Sequence, residues 1–132
     1  MMSRKSIRVD GFDHGTQPIP VASRKGPLLV TGGIYGLDPA TGKLPDDPAA
    51  QTKLMFWQLT RVLGAAGASL DDVLRMTIYA KVPEVREHVN EHWLTAFPDA
   101  DSRPARHTLA YDGLPANMLV QCDAIAMVES DD

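Results

Sequence analysis

Apolar residues recur at steps of three and four over one stretch of the chain: Met55, Leu59, Val62, Leu63 and Ala66. That period lines them along one side of a helix. Asp47-Pro48 supplies an acidic N-cap with proline at the first helical position, and Gly67 suits the other end. A second helix is predicted after Val82-Pro83, with Val85, Val89, Trp93 and Phe97 at four-residue steps and Pro98 as its stop. Elsewhere the pattern shortens to alternation or to brief apolar runs rich in β-branched residues. These predict strands at residues 27–31, 73–82, 107–111 and 118–128, with a weaker pair at 6–9 and 19–23. Asp38-Pro39-Ala40-Thr41-Gly42 and Asp112-Gly113-Leu114-Pro115 carry turn chemistry.

The resulting order, roughly β-β-β-α-β-α-β-β, predicts an α+β domain: one sheet with both helices on one face. The whole chain, 1–132, reads as that single domain, with loose ends at 1–5 and 129–132. The second sheet face then lacks cover from the chain itself. In the last strand Val120, Cys122, Ala124 and Ala126 are small and apolar and suit helix packing, while Leu119, Gln121, Asp123 and Ile125 alternate with them on the other face. That mixture suits a subunit interface better than open solvent, so an oligomer is expected.

Composition narrows the function classes. The net charge of −4 offers no basic surplus for phosphates, which disfavours nucleic acid as a partner. The single cysteine, Cys122, excludes an intrachain disulfide and reads as a buried small hydrophobe rather than a nucleophile. No apolar run nears the ~20 residues that span a bilayer, and the N-terminal residues lack a signal-peptide core; no membrane partner and a cytoplasmic location are expected. His88 and His92 share a helix face, but H-V-N-E-H is not a zinc motif and no third ligand is evident, so no metal is expected. Thr31-Gly32-Gly33-Ile34-Tyr35-Gly36 is glycine-rich yet follows neither phosphate-loop nor dinucleotide patterns; no cofactor is expected.

Ser102-Arg103-Pro104-Ala105-Arg106-His107-Thr108 is the most informative stretch. By alternation Arg106, Thr108 and Ala110 share a face, expected to be the uncovered one that carries Gln121, with His107 opposite. A guanidinium inside a strand needs an anion or acceptor beside it. Its planar fork fits a carboxylate through two parallel hydrogen bonds. A structural ion pair with an aspartate or glutamate is the competing reading.

Several motifs in order resemble the Rid family, the reactive intermediate deaminases also called YjgF or L-PSP-like proteins. They are Thr31-Gly32-Gly33-Ile34 with Asp38-Pro39-Ala40-Thr41-Gly42, Gln51 opening the first helix, the run from Ala65 to Val73, Val89-Asn90, Pro104-Ala105-Arg106, and Leu114-Pro115 leading to Asp123-Ala124-Ile125-Ala126. Together they cover about residues 19–128. The resemblance implies a chorismate-mutase-like homotrimer, with three sheets forming an inner barrel, helices outside and a cleft between each pair of subunits. It makes Arg106 the group that holds a substrate carboxylate, and it places Asn90, Thr108 (where the family has cysteine) and the Thr31 hydroxyl beside it. The family glutamate that positions water is Gln121 here, and the family's N-terminal tyrosine falls near Pro18 or Ile19, so that contact is absent.

An amide orients water but takes up no proton at neutral pH. Asp123, on the same strand face, and His14, as a residue type able to exchange a proton near neutral pH, are therefore the candidate bases beside Gln121. Tyr35 and Trp57 are candidates for shaping a pocket, with core packing as the alternative. The expected activity is hydrolytic deamination of a small carboxylate-bearing imine or enamine, a 2-imino acid or a 2-aminomuconate-like acid. A non-catalytic binder of a small carboxylate metabolite is the alternative. An endoribonuclease or translation inhibitor is the weakest reading on charge.

Overall fold

The computed structural model describes residues 2–129, so the looseness expected at residue 1 and at 130–132 lies outside the described residues. The elements run β1 (Lys5–Ile7), β2 (Ala22–Lys25), β3 (Leu28–Thr31), β4 (Ile34–Tyr35), α1 (Pro48–Ala65), a short 3₁₀ turn (Leu70–Asp72), β5 (Val73–Ala80), α2 (Val85–Ala96), β6 (Ala105–Ala110) and β7 (Val120–Met127). Each predicted helix and strand has its counterpart. The chain is already in a strand at Lys5, inside the stretch expected to be loose. The two-residue β4 was not predicted: it is too short for alternation to register.

The helix ends follow their chemistry. Asp47 accepts hydrogen bonds from the backbone N–H groups of Ala49 and Ala50, and Pro48 has no N–H to satisfy. At the other end Gly67 takes φ +78°, where L-residues are strained, and the Ala68 N–H donates back to the Leu63 carbonyl at 2.8 Å. In α2, Val85, Val89 and Trp93 are buried, as the four-residue step requires.

The strands form one mixed sheet in the order β1-β2-β3-β7-β5-β6, with β4 also paired to β7. β5 and β6 are parallel, joined through α2; the other pairings are antiparallel. Strand β6 therefore forms one edge. Val120, Cys122, Ala124 and Ala126 of β7 and Met76, Ile78 and Ala80 of β5 face the helices and share a core with Met55, Leu59, Val62, Leu63, Val85 and Val89. The opposite face is left bare. Leu28 and Val30 of β3, Ile125 and Met127 of β7, and Leu109 of β6 are exposed there, Leu28 by 48% and Met127 by 47%. Lys25 stands opposite Leu28 and Arg75 opposite Ile125, so the face mixes apolar and charged side chains, as a subunit interface can.

One polar knot lies inside the core. Gln51, fully buried, donates through Nε2 to the carbonyls of Pro45 (2.7 Å) and Asn117 (2.8 Å), and its Oε1 accepts from the Leu119 N–H (2.8 Å). It ties the loop before α1 and the loop before β7 to the first turn of the helix. Gly36 passes directly against its backbone carbonyl, with no room for a Cβ. Replacing Gln51 by Leu keeps the volume but strands two carbonyls and one N–H in the interior. Gln51→Leu is expected to cost on the order of 3 kcal/mol, read as a lowered denaturant midpoint in an unfolding titration. A midpoint equal to the unsubstituted protein's would contradict this account of the knot.

Candidate functional site

Strand β6 is short of apolar residues and lies at the edge, so its side chains find partners outside the sheet. Its register with β5 pairs Arg106 with Met76, Thr108 with Ile78 and Ala110 with Ala80. Met76 and Ile78 are fully buried under the helices. Arg106 therefore projects on the helix face, not on the uncovered face that carries Gln121. This corrects the expected placement: alternation tells which residues share a face, not which face they share. His107 takes the uncovered face instead, opposite Thr77, within 3.0 Å of the Arg75 guanidinium at its Nδ1.

On the helix face Arg106 meets α2. Its Nη2 donates to Oδ1 of Asn90 at 2.6 Å, and its guanidinium lies 4.9 Å over the ring of buried Trp93. The indole and the amide hold the fork from behind and from one side. Burial, and then the neighbouring Arg86 guanidinium, lower its pKa, and a guanidinium stays charged through such a shift. Among the described residues no carboxylate is bonded to Arg106, so the structural ion pair is absent there. Thr108, two residues on, has a buried hydroxyl with no partner. Arg86 reaches the Thr108 carbonyl at 3.3 Å. Sequence reasoning missed Arg86, although its four-residue separation from Asn90 puts both on one helix face. It also placed Trp93 in the core without seeing its second contact.

The second cluster lies where β3 gives way to β4. Between them Thr31-Gly32-Gly33 leaves the ladder of β7, and the Thr31 hydroxyl fills the gap by accepting from the Ala124 N–H at 2.9 Å while donating to the Gly32 carbonyl at 2.8 Å. Tyr35 pairs with Gln121, and Gln121 in turn with Tyr79. The Gln121 amide rests over Gly33, where a Cβ would come within 2.8 Å of it. His14 is bonded to the Gly33 carbonyl through Nε2 at 2.9 Å. A carbonyl only accepts, so Nε2 donates there, while Nδ1 is buried and unpartnered. Tyr35 donates to the Asp13 carbonyl at 2.7 Å; burial, and then Asp13, raise its pKa. Asp123, two residues from Gln121 on the same face, accepts from the Tyr79 hydroxyl at 3.2 Å; burial, and then that carboxylate, raise the Tyr79 pKa.

The predicted residues thus fall into two groups. Arg106, Thr108 and Asn90 come together on the helix face of the edge strand. Thr31, Tyr35, Gln121, His14 and Asp123 gather around β7. Strands β6 and β7 are separated by β5, roughly 10 Å at the usual strand spacing, and the Arg106 and Gln121 side chains leave the sheet on opposite faces. Within one chain the two groups do not meet.

Other candidates take structural places. His92 stacks on Phe56 at 5.6 Å, which makes it part of the helix packing rather than a wholly solvated group. Trp57 lies on the outer side of α1, under the Arg61 guanidinium, and joins neither cluster. Among the described residues no helix is long and apolar enough to cross a membrane.

The sequence profile of the family described as Endoribonuclease L-PSP matches residues 19–128. The chain belongs to the Rid (YjgF, L-PSP) family. Among its Rid relatives, a RutC family protein of Pyrococcus abyssi (strain GE5 / Orsay) is 33% identical over 129 residues, covering 97% of this chain and 100% of that one. The 2-iminobutanoate/2-iminopropanoate deaminase of Escherichia coli (strain K12) is 27% identical over 124 residues, covering 93% of this chain and 97% of that one. The crystal structure of a Rid family protein of unknown function, YyfA from Yersinia pestis, superposes with a TM-score of 0.86 at 26% identity, covering 96% of this chain and 100% of that one. The Rid fold, two helices on a mixed sheet in a single domain, is the one expected from the motifs.

Cys122 of this Rid chain lies in the core, and burial, followed by the Asp123 charge, drives its thiol pKa upward. A maleimide added at mildly alkaline pH is expected to leave the native protein unlabelled and to react only as denaturant unfolds it. Labelling of the native chain at the rate of a free thiol would contradict the buried placement.

Proposed function

We propose that this protein hydrolyses small carboxylate-bearing imines or enamines, at a site formed where the Arg106 group of one subunit meets the Gln121 group of the next. The observation that carries the reading is Arg106 itself: a cationic fork on an edge strand, backed by Trp93, aligned by Asn90, and bonded to no carboxylate among the described residues. Such a fork is ready for a ligand carboxylate. The unpartnered Thr108 hydroxyl lies on the same strand face. Kinship with the Escherichia coli imine deaminase supports this chemistry at the level of the family.

The reaction needs little from the protein. Water adds to the carbon of the C=N bond, the nitrogen takes up protons, and the resulting carbinolamine expels ammonia to leave a carbonyl. An imine is reactive by itself, so holding its carboxylate and a water in line supplies most of the advantage. Arg106 holds the acid. Gln121, seated over Gly33, orients the water through its amide carbonyl and takes no proton. The proton passes to the Asp123 carboxylate, on the same strand face as Gln121, or to Nδ1 of His14, whose ring is bonded to the carbonyl of Gly33 beneath that amide. Tyr35 and Thr31 shape the same end of the cleft.

Assembly follows from the bare sheet face. Leu28, Val30, Ile125 and Met127 are covered if three copies bring their sheets together as an inner barrel, the homotrimer of the family, which also sets each β6 edge against a neighbour. A second reading, a non-catalytic carboxylate binder, is favoured by one feature, the amide at 121 where the family carries a base.

An ammonia-release assay with 2-imino acids generated in situ tests the proposal. The unsubstituted protein is expected to accelerate release, and Arg106→Ala to lower kcat/KM by at least on the order of a hundredfold. Gln121→Glu is expected to raise the rate. Of Asp123→Asn and His14→Gln, the variant that removes the base loses turnover and the other retains it. Binding of 2-oxo acids without any acceleration of ammonia release would establish the second reading instead, and unchanged turnover in Arg106→Ala would remove the clamp.

A further inference from the structure

The groove between α2 and β6 holds more positive charge than one carboxylate requires. Arg86 lies in the first turn of α2, and its guanidinium is close enough to that of Arg106 for repulsion between them to weigh on Arg106. Glu84, Glu87 and Glu91 belong to the same helix region, yet none is bonded to either guanidinium; the partners are a backbone carbonyl for Arg86 and an amide for Arg106. Two like charges side by side, each held by a neutral acceptor, cost energy until an anion arrives. Between them on the strand stands the Thr108 hydroxyl, buried and without a partner. Beyond Arg86 the groove opens into a hollow of about 390 Å³ lined by Ala80, Lys81, Val82, Pro83, Arg86 and Ala110. Lys81 also lines this hollow, with its Nζ turned to the carbonyls of Leu114 (2.9 Å) and Ala116 (3.2 Å).

From this arrangement we infer that the ligand carries two acid groups, one held by Arg106 and the other by Arg86. The inference rests on the carboxylate-clamp reading of Arg106 and specifies its substrate class: an imine or enamine of a short-chain dicarboxylic acid. The spacing agrees from both sides of the groove. Asn90, which aligns Arg106, is one helical step of four residues from Arg86, about 6 Å of rise. Arg106 and Thr108, which Arg86 reaches, are two strand residues apart, roughly 6.6 Å. An acid group at each end of a short carbon chain spans that separation. A second charge-assisted contact is worth on the order of tenfold in affinity or more.

Calorimetric titration of the full-length protein with 2-oxoadipate and with 2-oxohexanoate isolates the second charge, because the two acids share a chain length and differ in one carboxylate. The unsubstituted protein is expected to bind the diacid at least about tenfold more tightly. Arg86→Gln is expected to erase that preference while leaving the monoacid affinity within about twofold, since Arg86 is exposed and bonded only to a carbonyl. Arg106→Gln is expected to weaken both acids. Equal affinities in the unsubstituted protein, or equal weakening of both acids by Arg86→Gln, would overturn the inference and leave the clamp standing. If neither acid binds the unsubstituted protein, or if Arg106→Gln changes neither, the clamp reading fails and the inference falls with it. A thermal melt of Arg86→Gln matching that of the unsubstituted protein shows that a lost preference is not lost folding.

Discussion

A sheet has two faces, and a side chain on one cannot reach across to the other. Everything functional in this chain follows from how that constraint distributes its polar residues. Strand β6 lies at the edge in parallel register with β5, so Arg106 inherits the direction of Met76 and leans on the helices. Strand β7, near the middle, turns Cys122 and Ala124 to the helices and Gln121 and Asp123 away from them. A cleft that uses both groups has to be made by two chains. The same geometry leaves a face of exposed Leu, Ile, Val and Met side chains that association would cover, so the proposed assembly and the proposed composite cleft would have one origin.

The two groups are rigid for different reasons. Arg106 is held by packing: an indole beneath it and an amide at its side, both on α2, whose own position is set by Val85 and Val89 in the core. The Gln121 group is held by backbone. Thr31 substitutes its hydroxyl for a missing ladder partner, Gly33 lies flat beneath the amide, and His14 clips the preceding loop to the Gly33 carbonyl. Gln51 fixes the remaining loops from inside the core. The Gln121 end of β7 is thus positioned by bonded turns, an arrangement that the water alignment of the proposed reaction would use.

Much of this was legible in the amino-acid pattern. The four-residue steps from Val85 to Trp93 and the caps Asp47 and Gly67 marked both helices, and alternation separated Cys122 and Ala124 from Gln121 and Asp123. The face taken by Arg106 was not legible. Alternation is a relative signal, and on an edge strand, with polar residues on both sides, no apolar set anchors it to the core. Strand β4 escaped because two residues carry no period. Arg86 escaped because an exposed helical arginine has no signature of its own; only the fold shows which strand its face meets. Gln51 was picked out as a motif residue, but its burial and that of Gln58 escaped for a related reason, since glutamine on a helix reads as solvated until the carbonyls it serves are located.

An acidic protein proposed to bind a small acid poses an electrostatic question. The chain carries a net charge of −4, which repels an acid at long range. Screening limits that repulsion: at physiological ionic strength charges beyond about 8 Å are largely damped. Inside that radius the sum is different. The α2–β6 groove holds the guanidiniums of Arg86 and Arg106, and no carboxylate is bonded to either arginine among the described residues. Burial of Arg106 against Trp93 lowers the local dielectric and strengthens its attraction for a carboxylate that reaches it. The overall charge works against loose, non-specific binding of phosphates and polyanions, while in the proposed clamp the two guanidiniums act on a compact acid at short range, and a selectivity for such an acid over an extended polyanion would follow from that difference in range.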